Sequence, residues 1–193
     1  MLYKHFIGDK DNGVFIDVGA FDGEQYSNTC RLADKGWRGI MIEPVSGSYD
    51  KCVKRHKDND VEVMNCALGN RRGKGVINVH GVISTISEEA KDRFKTLGWW
   101  RGDKTQEIEI ETLNAIFDKE GDVDVLDIDV EGYEWEILRG FDIALYKPKM
   151  VIIELHDNNL NYDEGDSMKI VRYFDDHGYR VVWKDLTNTI YIL

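Results

Sequence analysis

The sequence has little cysteine, little proline and a deficit of positive charge. Its 193 residues include 3 Cys and 2 Pro, and 36 Asp and Glu outnumber 25 Lys and Arg, for a formal net charge of −11. This balance and the absence of a basic run argue against a nucleic-acid partner, because phosphate backbones are bound by clustered Lys and Arg. The cysteines are odd in number and lack the spacing of metal ligands: Cys30, Cys52 and Cys66. This indicates packed thiols and a reducing, cytoplasmic setting.

Long hydrophobic runs are also missing. No stretch approaches the length needed to span a bilayer, and residues 1–13 lack the apolar centre of a signal peptide, so no membrane partner is expected. With 42% hydrophobic and 32% charged residues the composition is that of an ordinary globular protein. The length predicts one domain over residues 1–193, with residues 1–12 as a lead-in. The sequence carries no signal for an oligomeric state.

A glycine-bracketed turn organises the first third of the chain. The apolar run Val14-Phe15-Ile16 predicts a buried strand that ends in Asp17 and enters the turn Gly19-Ala20-Phe21-Asp22-Gly23. Residues 24–35 contain neither Pro nor Gly and predict a helix. A strand, a glycine turn and a helix N-terminus form a common ligand site, because glycine lets a ligand approach the backbone and the helix offers its first N–H groups.

The glycine spacing indicates which ligand this turn binds. A dinucleotide site has the pattern G-x-G-x-x-G, whose second glycine makes room for a pyrophosphate, and here Phe21 stands at that position. The pattern suits a ligand that carries an amino acid, with Asp17 placing its charged end. It resembles the first motif of class I S-adenosylmethionine (SAM) methyltransferases, which implies cofactor contacts at Asp17, Gly19, Ala20, Phe21 and Gly23. The alternative is an ordinary turn whose glycines serve packing.

The tips of the next two predicted strands extend this site. Glu43 follows the strand Arg38–Ile42, 24 positions after Gly19, and suits a carboxylate that accepts both hydroxyls of a ribose. The strand Val61–Met64 is expected to end beside the adenine. Cys66 and Ala67 follow it and are small enough to leave a slot for a flat ring, although small residues also occur where a helix packs on a strand.

Acidic residues accumulate at two later strand ends. In the strand that begins at Val123, alternation places Asp127, Asp129 and Glu131 on one side of the strand and its exit. Three such charges are costly together unless they bind a cation, share protons or reach solvent. A further strand over residues 149–156 ends in two ionisable residues, Glu154 and His156.

The order of the elements predicts an α/β protein. Strands alternate with helices, and two final strands over residues 179–184 and 189–193 are so closely joined that they must be antiparallel neighbours. The expected architecture is a Rossmann-like, mostly parallel seven-stranded sheet that ends in an antiparallel hairpin. Residues 71–111 form the least regular part, with a helix over residues 87–97 and an aromatic loop at Trp99-Trp100. This insertion is a candidate lid over a substrate, and the tryptophans would either stack on that substrate or close over the core.

Five motifs occur in order along the chain: VFIDVGAFDG, IEP, NCALGN, DIDVEGYEWEILRG and VIIELH. Together they resemble the FkbM family of SAM-dependent methyltransferases, over roughly residues 13–193. The resemblance implies the class I methyltransferase fold, SAM as cofactor and O-methylation of a hydroxyl on a sugar, glycan or other small metabolite. Many relatives carry Lys two places before the Asp of the IDVEG motif. This chain has Asp127 there, which we assign to the cofactor side of the site.

The expected chemistry is an in-line displacement at a methyl group, helped by a base that takes the proton of the acceptor hydroxyl. Asp129 or His156 is the predicted base, and Glu131 is predicted to position the acceptor. His156 could equally be a hydrogen-bonded structural residue. A less favoured alternative is a divalent metal held by Asp127, Asp129 and His156.

Two other functional classes remain open from the sequence. One is a nucleotide-dependent oxidoreductase, which Phe21 in the glycine turn disfavours. The other is a catalytically silent SAM-binding or scaffold protein that keeps Asp17, Gly19 and Glu43 but has no working base.

Overall fold

The computed structural model describes residue 8, residues 10–155 and residues 164–193, so that His156 lies outside the described residues. The strands are β1 (Val14–Val18), β2 (Arg38–Ile42), β3 (Val61–Met64), β4 (Ala67–Gly69), β5 (Gly73–Asn78), β6 (Thr105–Thr112), β7 (Val125–Ile128), β8 (Met150–Glu154), β9 (Arg180–Lys184) and β10 (Asn188–Ile192). The helices are α1 (Cys30–Ala33), α2 (Ser46–Arg55), α3 (Glu88–Thr96), α4 (Leu113–Glu120), α5 (Glu134–Leu138), α6 (Ile143–Tyr146) and α7 (Glu164–Asp176), with a 3₁₀ turn at Gly81–Ile83. None of the described helices combines the length and the apolar character that a bilayer crossing requires.

Seven strands form the main sheet, in the order β3-β2-β1-β7-β8-β10-β9. Neighbours from β3 to β8 pair in parallel, and β10 runs antiparallel to both β8 and β9. The predicted mostly parallel sheet with a terminal antiparallel hairpin is therefore confirmed. The strand order reverses between β1 and β7, and open α/β sheets bind ligands beyond the carboxyl ends of the strands at such a point.

The main sheet is apolar on both faces because helices cover both sides. Successive residues of β1 enter opposite clusters: Phe15 packs with Trp37 and Met41 on one face, and Ile16 packs with Leu126 on the other. These side chains are fully buried. A parallel sheet buried on both faces requires near-continuous apolar runs, which is the pattern that identified these strands in the sequence.

The region predicted to be least regular contributes β5 and most of β6 to a second, smaller sheet with the order β4-β6-β5. Strand β6 pairs in parallel with β4 and antiparallel with β5. The predicted helix of this region is confirmed as α3, whose first turn is capped by the Ser87 hydroxyl accepting the amide of Ala90 at 3.1 Å. Helix α4 follows β6 without an intervening residue, and Thr112 caps it by accepting the amide of Ala115 at 3.4 Å.

The helix predicted over residues 24–35 was wrong in its first half, because α1 spans only Cys30–Ala33. Upstream, side chains take the bonds that a helical backbone would need. Asp22 accepts the amides of residues 24 and 25 at 3.1 and 2.8 Å, and Ser27 accepts the amide of Cys30 at 2.9 Å. Tyr26 lies between them with a left-handed φ of 63°. Such local bonds compete with helix formation, and as a result no helix N-terminus follows the glycine turn directly.

Glycine at position 39 is required by packing across the main sheet. An alanine Cβ there would lie 2.2 Å from the ring of the fully buried Phe15. We expect Gly39→Ala to lower the free energy of unfolding by about 1–3 kcal/mol, the usual cost of overpacking a core. Gly73→Ala is the matched control, since Gly73 also lies in a strand and its added methyl would meet nothing within 4 Å. Denaturant unfolding of both variants tests this; equal stabilities would contradict it.

Candidate active site

Two adjoining cavities open at the carboxyl edge of the main sheet. The first has mostly apolar walls that include Ile42, Pro44 and Leu68. Most residues that line the second have carboxyl, amide or hydroxyl side chains. We call them the apolar cavity and the polar cavity. They are parts of one cleft, because both are lined by Gly19, Phe21, Val82, Asp129 and Glu131.

Gly19 lies at the centre of this cleft, in contact with the end of β7. Its φ is 93°, and a Cβ at this position would lie 1.8 Å from the backbone oxygen of Asp129. Only glycine fits here. The amides of Gly19 and Ala20 both donate to the carbonyl of Ile42, at 2.9 and 3.1 Å. These amides bind the neighbouring strand and are not available to hold a phosphate.

Glu43 ties the glycine turn to the tip of β2. Its carboxylate accepts the amide of Phe21 at 2.9 Å on one oxygen and the amide of Val45 at 2.7 Å on the other. The side chain is buried but lines the apolar cavity, and burial raises its pKa to about 7. Each carboxylate oxygen has a second lone pair. Glu43 can therefore accept two hydroxyl groups of a ligand in addition to its two backbone bonds.

Three non-glycine residues that line the cleft have left-handed backbones. Phe21 has a φ of 49°, Tyr26 a φ of 63° and Glu131 a φ of 56°. The turn at Glu131 is held by the carboxylate of Glu134, which accepts the amides of Val130 and Gly132 at 3.3 and 3.0 Å. Residues held in such conformations cluster at binding and catalytic sites, where surrounding structure offsets their cost.

The strand register brings three polar side chains to one row. Ile128 pairs with Ile153, so Asp129 and Glu154 occupy neighbouring positions at the ends of β7 and β8. Glu154 in turn pairs with Asn188 at the start of β10. Asp127 precedes Asp129 by two residues on β7, and it pairs with Asp17 on β1. This pair therefore lies deeper in the sheet than the row of Asp129, Glu154 and Asn188.

Asp129, Glu131 and Glu154 form a tight carboxyl cluster. Each contributes an oxygen, and these atoms lie within 4.8 Å of one another. Burial raises the pKa of all three carboxyls, that of Glu131 to about 8. A hydrogen bond joins Asp129 to Glu154, and it favours the ionised form of Asp129 and the protonated form of Glu154. A proton shared between Asp129 and Glu154 is one of the three ways to relieve the like charges of this cluster.

Of the alternative metal set, Asp129 belongs to the carboxyl cluster and Asp127 does not, while His156 lies outside the described residues. Asp127 lies deeper and accepts a hydrogen bond from the side-chain amide group of Asn28 at 3.3 Å. Its pKa is raised by burial and by the charge of Asp17. Asp17 accepts the hydroxyl of Thr29, and burial raises its pKa to about 6. Both aspartates line the polar cavity.

Two predicted cofactor residues are placed outside the cleft. Gly23 lines neither cavity: a Cβ there would lie 2.7 Å from the buried ring of His56, whose Nε2 lies 2.8 Å from the Gly23 oxygen. That glycine serves packing. Cys66 is buried in the core cluster below the sheet edge, whereas the adjacent Ala67 lines the apolar cavity.

Several cavity residues were not predicted as site residues. Glu154 was noted as an ionisable strand tip, and six further lining residues were missed: Tyr26, Asn28, Val82, Tyr133, Thr187 and Asn188. Tyr133 lies inside the motif DIDVEGYEWEILRG. The only sequence signal of the other five is a position in or next to a turn. The two tryptophans do not line either cavity, since Trp100 is buried against Phe94 and Trp99 stacks on the same ring while half exposed. The insertion reaches the cleft through its 3₁₀ turn and through Ile77, Ser84 and Ile86.

Comparison with known families gives one match over most of the chain: residues 17–181 match the family model of the methyltransferase FkbM domain. No curated protein matches the chain in sequence. The crystal structure of methyltransferase FkbM from Methylobacillus flagellatus KT is similar, with a TM-score of 0.62 and 18% identity, over 95% of this chain and 44% of that one. The present chain thus spans less than half of that protein.

Two further solved structures share the fold. Precorrin-6y C5,15-methyltransferase from Geobacter metallireducens GS-15 has a TM-score of 0.52 and 12% identity, over 100% of this chain and 85% of that one. Ribosomal protein L11 methylase from Lactobacillus delbrueckii subsp. bulgaricus has the same score and identity, over 100% and 75%. At such identities the likeness shows the fold alone, which is the Rossmann-like fold of class I methyltransferases.

The raised pKa values predict a pH dependence of stability in the free protein. A carboxyl whose pKa is higher in the folded state stabilises the fold when protonated, and that stability is lost as pH rises through the folded pKa. The pKa is about 6 for Asp17, about 7 for Glu134 and about 8 for Glu131. We expect the Tm to fall by roughly 4–8 °C between about pH 5.5 and pH 8.5, equivalent to about 2 kcal/mol.

Calorimetric melting across this range measures the effect. Glu131→Gln, which removes one of the titrating groups, should make the slope shallower. Glu109→Gln is the control, because Glu109 lies on the small sheet in an exposed ion pair with Lys74. A Tm that rises or stays constant over this range would contradict the assignment of shared protons.

Proposed function

Because this chain belongs to the FkbM methyltransferase family, we propose that it transfers the methyl group of SAM to a hydroxyl oxygen of a sugar, glycan or other small metabolite. The observation that carries this proposal is the position of Glu43 in the wall of the apolar cavity, beside the glycine turn. An adenosine needs an apolar slot for its ring and an acceptor for its ribose hydroxyls, and this cavity offers both.

The residues of the cleft fit SAM better than a dinucleotide. A pyrophosphate is held by open backbone amides at a glycine turn and a helix N-terminus. Here the amides of residues 19–21 donate to β2 and to Glu43, and α1 begins only at Cys30. The amino acid end of SAM would lie in the polar cavity near Asp17 and Asp127. This disfavours the oxidoreductase alternative.

When bound, SAM supplies an activated methyl group on a sulfonium. In the proposed mechanism Asp129 accepts the proton of the acceptor hydroxyl, since its hydrogen bond with Glu154 favours its ionised form. Glu154 retains the proton that the pair shares, and Glu131, in the same cluster, positions the acceptor. The cavity walls align hydroxyl and methyl group, which supplies much of the rate enhancement of such reactions.

The ribose assignment is tested at Glu43. Glu43→Ala removes a carboxylate expected to make two charge-assisted hydrogen bonds, so we expect SAM affinity to fall by at least about tenfold. Isothermal titration calorimetry with SAM and with NAD measures this. Glu43→Gln keeps one acceptor oxygen for the turn and should show an intermediate loss.

Glu62→Gln on the neighbouring strand β3 is the control, because Glu62 points to an exposed ion pair with Lys119. It should bind SAM like the parent. Unchanged affinity in Glu43→Ala would refute the ribose assignment, and a parent protein that binds NAD but not SAM would refute the proposed function.

The catalytic assignment is tested at Asp129. Asp129→Asn keeps the size of the side chain but removes its charge, so SAM binding should be nearly intact while turnover falls by roughly a hundredfold or more. Turnover is measured with labelled SAM on an acceptor identified by screening sugars and metabolites. Asp118→Asn is the control, since Asp118 lies on α4 and accepts the hydroxyl of Tyr146, away from the cleft.

The same assay separates the remaining alternatives. Activity that survives a chelator argues for carboxylate catalysis, and activity that requires added Mg²⁺ or Mn²⁺ argues for the metal alternative. A protein that binds SAM but methylates no acceptor in the screen would support the silent binder. Full activity of Asp129→Asn would exclude Asp129 as the base.

A further inference from the structure

Another cavity adjoins the apolar cavity, since Ile86 and Tyr133 line both. Its other walls include the turn that joins β4 to β5 and the segment that ends α5. Four basic residues line it: Arg71, Arg72, Lys74 and Arg139. Such a concentration of cations stands out in a chain whose formal net charge is −11. We call this space the basic cavity.

Close backbone packing holds the two basic stretches together. A Cβ at Gly140 would lie 2.5 Å from the Cα of Asn70, so glycine is needed where the segment after α5 approaches the β4–β5 turn. The side-chain amide group of Asn70 donates to Glu136 at 2.7 Å, and Arg139 forms an ion pair with the same carboxylate at 2.6 Å. The fold therefore fixes Arg139 beside the turn that carries Arg71.

One cation of the basic cavity has no carboxylate partner. Arg71 is exposed, and its guanidinium forms no ion pair or hydrogen bond with a described residue. The other three basic residues each form one ion pair: Arg72 with Glu111, Lys74 with Glu109 and Arg139 with Glu136. The basic cavity thus has one more cation than it has paired carboxylates, and an anionic ligand would supply the missing partner.

Further donors in the same walls are open. In the part of the chain that the structure describes, no protein acceptor takes the backbone amides of residues 70–72. Burial raises the pKa of Tyr133, and the charges of Arg139 and Arg71 oppose that rise, so both guanidinium groups lie near the Tyr133 hydroxyl. Consecutive backbone amides beside arginine are a common site for phosphate, because both donate to its oxygens and arginine matches its geometry.

We propose that the basic cavity binds the phosphate group of a small phosphorylated ligand, through Arg71, Arg139 and the amides of residues 70–72. The negative charge of the whole chain opposes a long polyanion, whereas a single phosphate requires only this local set of donors. The ligand is either a phosphorylated acceptor that reaches past Tyr133 into the cleft or a separate phosphate compound beside it. The inference goes beyond the proposed function, because the phosphate site does not depend on SAM.

Phosphate binding is measured on isotope-labelled protein without SAM, in a buffer free of phosphate and sulfate. Backbone amide signals are followed by NMR during titration with sodium phosphate, and titration with sodium chloride to the same ionic strength is the reference. We expect saturable shifts at residues 70–72 with phosphate alone. Equal shifts in chloride, or no shift with phosphate, would overturn the proposal.

Arg71→Gln removes the cation that lacks a carboxylate partner. We expect it to weaken phosphate binding by about tenfold at low salt, the scale of one charged hydrogen bond. Arg180→Gln is the matched control, since Arg180 is also exposed and forms no ion pair with a described residue, but lies on the edge strand β9 of the main sheet. Unchanged binding in Arg71→Gln, or an equal loss in Arg180→Gln, would overturn the proposal.

Glucose 6-phosphate and glucose separate the two sources of phosphate, each titrated into protein saturated with S-adenosylhomocysteine. Further shifts at Val82 and Val130, which line the apolar cavity, together with tighter binding than inorganic phosphate, would assign the phosphate to an acceptor. Shifts confined to the basic cavity would assign it to a separate ligand. Glucose that binds as tightly as glucose 6-phosphate would overturn the proposal. If S-adenosylhomocysteine fails to bind while phosphate binds, the proposed function is wrong and the phosphate site stands.

Discussion

The contact between Gly19 and the carbonyl oxygen of Asp129 sets the geometry of the whole cleft. It lets the glycine turn of β1 lie directly against the end of β7, where the strand order of the sheet reverses. Glu43 then fixes the same turn from the other side through the amide of Phe21. Because both neighbours hold the turn, its backbone amides are committed within the protein, and the ligand is left to interact with side chains. The cleft is thus a side-chain site built on a rigid backbone.

The carboxyl groups at the strand ends are the main energetic cost of this arrangement. Parallel strands that end at one level bring their last side chains together, and here those side chains are acidic on β1, β7 and β8. The protein keeps them in the fold by protonation and by hydrogen bonds such as that from Thr29 to Asp17. Carboxyl groups with raised pKa values in a cleft are typical of functional sites. Stability and binding are therefore linked through the same few protons.

The sequence predicted those parts of the fold and site that depend on local pattern. Apolar runs predicted the mostly parallel sheet and its terminal hairpin. The same runs and the glycine spacing predicted Gly19, Ala67 and the position of Glu43 at a strand end. The sequence could not predict contacts set by tertiary packing. In place of the long helix predicted after the glycine turn, the backbone is held by side-chain hydrogen bonds to Asp22 and Ser27. Gly23 is required because its Cα packs against the ring of a histidine distant in sequence. The row that joins Asp129 to Asn188 required the register of three strands, which no single stretch of sequence encodes.

The connections of the small sheet divide the cleft into a fixed and a variable part. Helix α4 follows β6 with no loop, and β4 follows β3 after two residues, so the small sheet is joined stiffly to the main one. By contrast, 26 residues separate β5 from β6, and they include the 3₁₀ turn that brings Val82 over both cavities. Insertions or exchanges in that connection alter the roof of the cleft without disturbing either sheet. In an evolutionary lineage, the ligand preference of the cleft can therefore diverge through this one connection while the strand-end carboxyls stay the same.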